Sequence, residues 1–408
     1  MKEFAGNRVL MLLENQPYPQ DGRVRRESFA LAEAGYQVTV ICPRNEKQPG
    51  HETINGVRVI RYPSPPTGNG LVGYLAEYGY STAASFVLSL WVAMRGGFDI
   101  VHSHNPPDTM FVIGAFFKLF GKRYVFDHHD LSPEMYNARF GDKGNRFVFR
   151  GLELLERLSC KVADRVIATN ESYREVEMRR DKVNPERITI VRNGPELGRI
   201  KQVAPDEGLR KKASTIIGYV GVMGYQDGVD YLLRALHHLV HDLKRTDFYM
   251  VLVGTGDAWH DLRALTTRLG LDDHVWFTGT ISDEELRRYL STADICVDPD
   301  PSNPFNDRST MIKITEFMAL EKPIVAFDLP ENRFTAQQAA LFVQPNDERA
   351  FADALAELMD DPDRRARMGA YGRKRIEESL AWTHCAPKLL EVYASLQPQR
   401  KAAVVSSS

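Results

Sequence analysis

Short apolar runs alternate with longer segments in which apolar residues return every three or four positions. The runs are Arg8–Leu13, Gln37–Cys42, Asp99–His102, Tyr124–Asp127, Arg165–Thr169 and Ile188–Val191, and then Thr215–Val220, Tyr249–Val253, Val275–Thr278, Asp294–Val297, Pro323–Phe327 and Leu341–Val343. Buried strands separated by helices predict parallel sheets built from right-handed strand–helix–strand units. Between the two series the turn formers thicken, at Asn193-Gly194-Pro195 and Pro205-Asp206-Glu207-Gly208. The pattern therefore predicts an α/β protein of two doubly wound, Rossmann-like domains. They span 1–195 and 214–381, with a linker over 196–213. Ligands of such sheets sit beyond the C-terminal strand ends, so a cleft between the domains is the expected site. Residues 397–408 read as a disordered tail.

Composition narrows the functional classes. The 408 residues are 43% hydrophobic and 26% charged, which excludes a disordered or fibrous chain. A net charge of −2 argues against coating nucleic acid. Cys42, Cys160, Cys296 and Cys385 form no C-x-x-C pair, which fits a reducing compartment and no cysteine-bound zinc. The start, Met1–Gly6, lacks a signal-peptide core, and the uncharged stretch Tyr78–Met94 is short and serine-rich for a membrane span. The expected location is the cytoplasm, with a peripheral seat at the inner face of the cell membrane as its variant.

Four segments carry candidate chemistry. Asn15–Glu27 follows the first run, with an Asp21-Gly22 turn and Arg23, Arg25 and Arg26 at a helix start, where backbone amides can cradle phosphate. A plain turn with solvated arginines is the equal alternative. His102-Ser103-His104-Asn105 and Asp127-His128-His129-Asp130 each end a run, so they surface at one sheet edge. Histidines there suit proton transfer or a metal cluster, or merely close strand ends by hydrogen bonding. The Asp127–His129 triplet resembles the phosphoesterases named for it, without their earlier aspartates or later glycine-rich histidine motif. Gly218–Gly228 is a glycine-spaced loop after a strand, and Gly254-Thr255-Gly256 closes the next. Neither has the dinucleotide spacing. Finally, Pro299–Arg333 predicts a polar loop, a cap at Asn306 or Asp307 and a helix from about Ser309. Glu316 then lies two turns in, able to accept from a ribose diol or to pair with Lys313.

Taken in order, these blocks resemble the family-four glycosyltransferases, which have the GT-B fold. The likeness runs through Asp21–Val24, His129-Asp130, Val191–Gly194, Leu252–Gly256, Val275–Gly279, Ala293-Asp294 and Glu316–Pro323. It implies retaining transfer of a sugar from a nucleotide-sugar donor to a hydroxyl acceptor, with no cofactor and no metal, in cell-surface polysaccharide or glycoconjugate biosynthesis. It implies His129, Asp130 and Glu316 as catalytic residues. Donor nucleotide and phosphates would meet Gly224, Gly254, Thr278, Arg308, Met311, Ile312, Lys313 and Glu316. Asp21, Gly22, Arg23, His104 and Asn105 would form a first-domain loop near donor or acceptor. The segment 382–396 would cross back as a helix onto the first domain. The implied partners are the donor and a saccharide or lipid-linked saccharide acceptor, with peripheral membrane contact and no nucleic acid.

The sequence departs from the family in two places. Arg308 stands where the family has a glutamate on the donor-sugar hydroxyls, which points to amino or deoxy sugars. Val222 and Asp227-Gly228 stand where it has an Arg and a Lys-Gly phosphate clamp. Arg308, Lys313 and Arg23 are the cations expected to compensate. Two other readings remain at this stage. One is a metal-dependent phosphoesterase using His102, His104, His128 and His129. The other is a catalytically silent GT-B-like binding protein. The aromatic-rich segments Leu71–Met94 and Met110–Lys122 read first as core helices and second as a surface for a polyprenyl-linked saccharide.

Overall fold

The computed structural model describes residues 7–65, 70–141 and 144–397. They form two compact units. One holds the described residues up to Pro133, Gly144–Val191 and those from Ala386 on. The other holds Arg192–Cys385 together with the short stretch from Glu134.

In the first unit the order is β1 (Arg8–Leu12), α1 (Gly22–Glu33), β2 (Gln37–Arg44), β3 (His51–Ile54), β4 (Val57–Pro63), α2 (Gly70–Arg95), β5 (Ile100–His104), α3 (Phe111–Lys118), β6 (Arg123–His128), α4 (Ser132–Phe140), α5 (Arg146–Val162), β7 (Arg165–Ala168), α6 (Glu171–Arg179) and β8 (Ile188–Ile190). Its eight strands lie in the order β3-β4-β2-β1-β5-β6-β7-β8. All pairs are parallel except β3 with β4. That hairpin was not among the predicted runs. Its signal is local: Asn55-Gly56, both with positive φ, is the turn pair that matches strand twist.

The second unit continues with α7 (Glu207–Arg210), β9 (Thr215–Val220), α8 (Val229–His241), β10 (Phe248–Val253), α9 (Trp259–Arg268), β11 (Val275–Gly279), α10 (Asp283–Thr292), β12 (Ile295–Asp298), α11 (Ile312–Ala319), β13 (Ile324–Phe327), α12 (Pro330–Ala336), β14 (Ala340–Val343), α13 (Glu348–Asp360), α14 (Pro362–Arg375) and α15 (Trp382–Leu396). Its six strands lie in the order β11-β10-β9-β12-β13-β14. Two apolar clusters cover its two faces, one around Leu232, Leu236 and Leu355, the other around Ile314, Phe317 and Ile376. Both sheets are thus doubly wound. The predicted linker contains the short helix α7, capped by Asp206, whose carboxylate accepts from Leu209 N at 2.9 Å. Of the predicted tail, 398–408 lies outside the described residues.

Helix α15 has the predicted bounds, and its last turns pack in the first unit. There Ser395 Oγ accepts from Arg165 Nε at 2.9 Å, and Tyr393 Oη lies 2.6 Å from His102 Nδ1. Helix α2 departs from the core-helix expectation. It buries the serine stripe Ser81, Ser85 and Ser89 and leaves Leu75, Val87 and Met94 exposed. Small residues at this four-residue spacing let the helix lie close to the sheet, which turns its larger apolar groups outward. Val112, Leu119 and Phe120, on α3 and just after it, are exposed too.

Candidate active site

In the first unit the candidate residues gather at the C-terminal ends of β5 and β6. His104 and Asp127 are register partners on these neighbouring strands. His104 Nδ1 donates to Asp127 Oδ2 at 2.9 Å. From α1, Arg23 grips the same carboxylate with Nε at 2.7 Å and Nη2 at 2.8 Å, and donates through Nη1 to Val191 O. Its Nη2 also lies 3.2 Å from Glu27 one turn on. Burial opposes the Asp127 charge, but Arg23 and the neighbouring histidines hold its pKa well below the carboxylate range. Burial, then the Asp127 charge, pushes Glu27 well above that range. His102 and His104 are driven below the usual histidine value, chiefly by burial. Both are neutral at physiological pH.

This geometry corrects several expectations. Arg23 is not a phosphate cation, because it is buried and committed to Asp127 and Glu27. Asp21 caps α1, accepting from Val24 N at 2.8 Å, and Gly22 is the first helical residue. The four histidines do not form one cluster. Side chains alternate along β6, so Asp127 and His128 leave by opposite faces. His128 sits between Glu177 at 3.1 Å and Glu156 at 3.4 Å, with Arg180 forked onto Glu156. Burial would lower the His128 pKa, but the two carboxylates raise it well above normal. It is a structural ion pair. The atoms that could hold a metal belong instead to Glu27, His102, His104 and Asp127, within 4.8 Å of one another. Arg23 already brings positive charge to both carboxylates there.

Asn105 organises the turn that presents His129 and Asp130. Its Oδ1 accepts from His129 N at 2.8 Å and Asp130 N at 3.2 Å, and its Nδ2 donates to Asp130 O at 2.6 Å. The same Nδ2 reaches Asp108 Oδ1 at 3.2 Å, and Asp108 Oδ2 accepts from Ser132. The His129 ring keeps a partly exposed edge, 3.7 Å from Asp127. Burial acts against its charge, yet Asp127 holds its pKa above the usual value.

Asp108 supplies a pH test. Burial pushes its carboxyl up to about 6. The folded state therefore keeps a proton that the unfolded chain loses above its ordinary value. This contribution is fully present below about pH 4 and disappears as pH rises through about 6, an effect on the order of 3 kcal/mol. Asp108→Asn should gain on the wild type by that margin between pH 4 and pH 7, measured by urea unfolding at both.

In the second unit the strand order reverses between β9 and β12, so their C-terminal ends flank the crevice where such sheets take ligands. The loop after β12 leads into α11. The structure shifts the predicted start. A single 3-10 turn covers Asn306–Arg308, the chain then extends, and α11 begins at Ile312 with Met311 as its N-cap residue. Asn306 does not cap the helix. Its amide ties Gln226 O and Pro301 O, each at 2.9 Å. The N-cap residue Met311 makes no side-chain cap bond, so the first turn of α11 presents backbone N–H groups of the kind that bind anions. Glu316 lies half-buried just over one turn in.

Lys313 is likewise corrected as a phosphate cation. Its ammonium bonds Asp300 and lies 3.1 Å from Asp298 Oδ1 and 5.1 Å from the Tyr219 ring centre. Asn332 donates to the other Asp298 oxygen at 2.7 Å. Lys313 thus neutralises buried acid. Arg308 donates to Pro304 O at 2.6 Å and lies 3.9 Å from Glu134 Oε1, and with its side chain 40% exposed it is the more accessible of the two cations. Gly224 N donates to Asp227 Oδ2 at 2.9 Å, closing the loop after β9. Gly254 (φ +125°) is required for packing, since a Cβ there would stand 1.9 Å from Gly221 O. Thr278 turns its hydroxyl onto Gly279 O.

Residues 23–194 match the family model described as glycosyl transferase 4-like domain, and residues 214–361 match that of glycosyl transferases group 1. The chain belongs to the family-four, group 1 glycosyltransferases. D-inositol 3-phosphate glycosyltransferase of Xylanimonas cellulosilytica is 24% identical, over 98% of this chain and the whole of that one. Among solved structures, sucrose-phosphate synthase of Thermosynechococcus elongatus superposes with a TM-score of 0.78 at 21% identity, covering 96% of this chain and 99% of that one. HepE of Anabaena, solved with UDP-glucose, gives 0.73 at 16% identity, covering 95% and 100%. The fold is GT-B, and the chain is a glycosyltransferase enzyme. These matches favour neither the phosphoesterase nor a silent binding protein.

Sequence reasoning missed Glu27, Tyr393, Asp298, Asp300 and Asn332. Glu27 was legible as the residue one turn after Arg23. Tyr393 was not, since 291 residues separate it from His102.

Proposed function

We propose that this glycosyltransferase takes its sugar from a nucleoside-diphosphate donor bound at the β9/β12 crevice, and transfers it with retention to a hydroxyl of a saccharide or lipid-linked saccharide. The carrying observation is the uncapped start of α11 at that crevice, with Glu316 one turn along the same helix. Amides of Ile312 and Lys313 would hold the donor phosphates, and Arg308 would add charge as negative charge builds on the departing diphosphate. Glu316 would accept from the ribose diol. His129, with its raised pKa, and the Asp130 backbone would act at the donor sugar. The acceptor would then attack from the face the diphosphate leaves. No step in this reading uses a metal.

The exposed apolar groups of α2 and α3 support a lipid-linked acceptor met at the inner membrane face in cell-surface polysaccharide or glycoconjugate synthesis. No described helix is long and apolar enough to cross a membrane.

The test is thermal unfolding with UDP, GDP and dTDP, each with and without chelator. A ligand at one hundred times its Kd adds about 2.7 kcal/mol. One diphosphate should therefore raise the Tm by roughly 5–10 °C, equally with chelator, and Glu316→Ala should weaken the shift. If no nucleotide moves the Tm, the reading falls.

A further inference from the structure

A cationic cavity lies in the first unit, at the end of its sheet away from the candidate active site. It occupies about 350 Å³ and is lined by Arg157, Cys160, Lys161, Arg180, Asp181, Lys182, Val183 and Arg187. These residues come from the last turns of α5, the turn after α6 and the approach to β8. Strands β7 and β8 begin here, whereas His129 and Asn105 lie where β5 and β6 end. The cavity is therefore separate from the candidate active site.

Its charge is poorly compensated. Five of the eight lining side chains are cationic. Arg180 is spent on Glu156. Arg187 donates to the backbone carbonyls of Cys160 and Ala163, which leaves its charge unneutralised. Among the described residues, Arg157, Lys161 and Lys182 have no acidic partner within ion-pair distance. Lys182 is also held at φ +59°, a left-handed conformation that costs a lysine and is kept where the surroundings demand it.

The one acidic lining residue does not cancel this field. Asp181 is 5% exposed, and its Oδ1 has no hydrogen-bond partner. Burial first, then nearby Glu156, pushes its carboxyl up to about 8. Its charge is therefore opposed by the same surroundings that leave the cations in place.

We propose that this cavity is a binding site for a phosphate group, with Arg157, Lys161, Lys182 and Arg187 supplying charge. Several cations converging on one cavity suit an anion with several acceptor oxygens. That chemistry is shared by a free phosphorylated metabolite and a phospholipid headgroup.

The full chain is titrated with inorganic phosphate by calorimetry at physiological salt, and mixed with phosphatidylglycerol or phosphatidylcholine vesicles in a flotation assay. The variants are R157E/K182E, which changes exposed cations, and K211E, an exposed cation of the second unit. Circular dichroism melting checks that both fold. R157E/K182E should weaken binding by about tenfold or more, equivalent to 1.4 kcal/mol, with K211E like the wild type. Loss of phosphate binding in R157E/K182E assigns a soluble ligand. Loss of phosphatidylglycerol flotation alone, with phosphatidylcholine inert, assigns a headgroup. If the wild type binds neither, or R157E/K182E binds as the wild type does, the proposal is overturned. None of these readouts involves the donor nucleotide.

Discussion

Replacing Asp127 with alanine should destabilise the first unit by about 3–5 kcal/mol, the cost of leaving a buried charge without its partner. Asp127 is the common acceptor for Arg23 and His104 and faces His129. Without it, the buried Arg23 guanidinium loses its two-pronged acceptor while Glu27 and the Val191 carbonyl stay beside it. Glu27 would then ionise to compensate in part, because the Asp127 charge that opposes its ionisation is gone. Urea unfolding of Asp127→Ala and of the double variant Asp127→Ala/Arg23→Met would separate the terms. The double variant should recover much of the loss, since removing both charges leaves none uncompensated. A single variant as stable as the wild type would contradict the buried charge network.

His129→Ala should do the opposite, removing activity at a much smaller cost in stability than Asp127→Ala. The ring is partly exposed, lies 3.7 Å from the Asp127 carboxylate and sits in a turn fixed by Asn105 through backbone atoms. A group that acts on charge developing in the transition state costs about 10²–10³-fold in kcat when removed. We expect that loss in kcat, a KM for the donor changed by no more than a few-fold, and a Tm that falls far less than that of Asp127→Ala. If kcat falls less than about tenfold, the proposed role at the donor sugar is wrong.

The two parts of the candidate site differ in how they could be read. His129, Asp130 and Glu316 were found because each belongs to a local block beside a strand or helix end. Arg23 and Lys313 were found as cations and given the wrong work. A cation on a helix start reads from sequence as available to phosphate. Whether it is depends on carboxylates brought in from elsewhere: Asp127 lies 104 residues beyond Arg23, and Asp300 lies 13 before Lys313. The cap of α11 failed for a similar reason. Asn306 is a good capping residue, but loops held at Gln226 and Pro301 claimed its amide first.

The sequence by itself determined the two parallel sheets and the strand ends that bear chemistry. Short apolar runs must be buried on both faces, and the helical segments between them leave only a parallel arrangement. It also determined the family, through blocks whose order no single motif carries. Tertiary structure alone decided which polar groups are spent on one another. His128 and His129 are adjacent in the chain. One is sealed between Glu156 and Glu177 while the other keeps an exposed edge, because pleating sends neighbours to opposite faces and the strand ends between them. The charge state of each group then follows from its partners and its distance from water, neither of which is local in sequence.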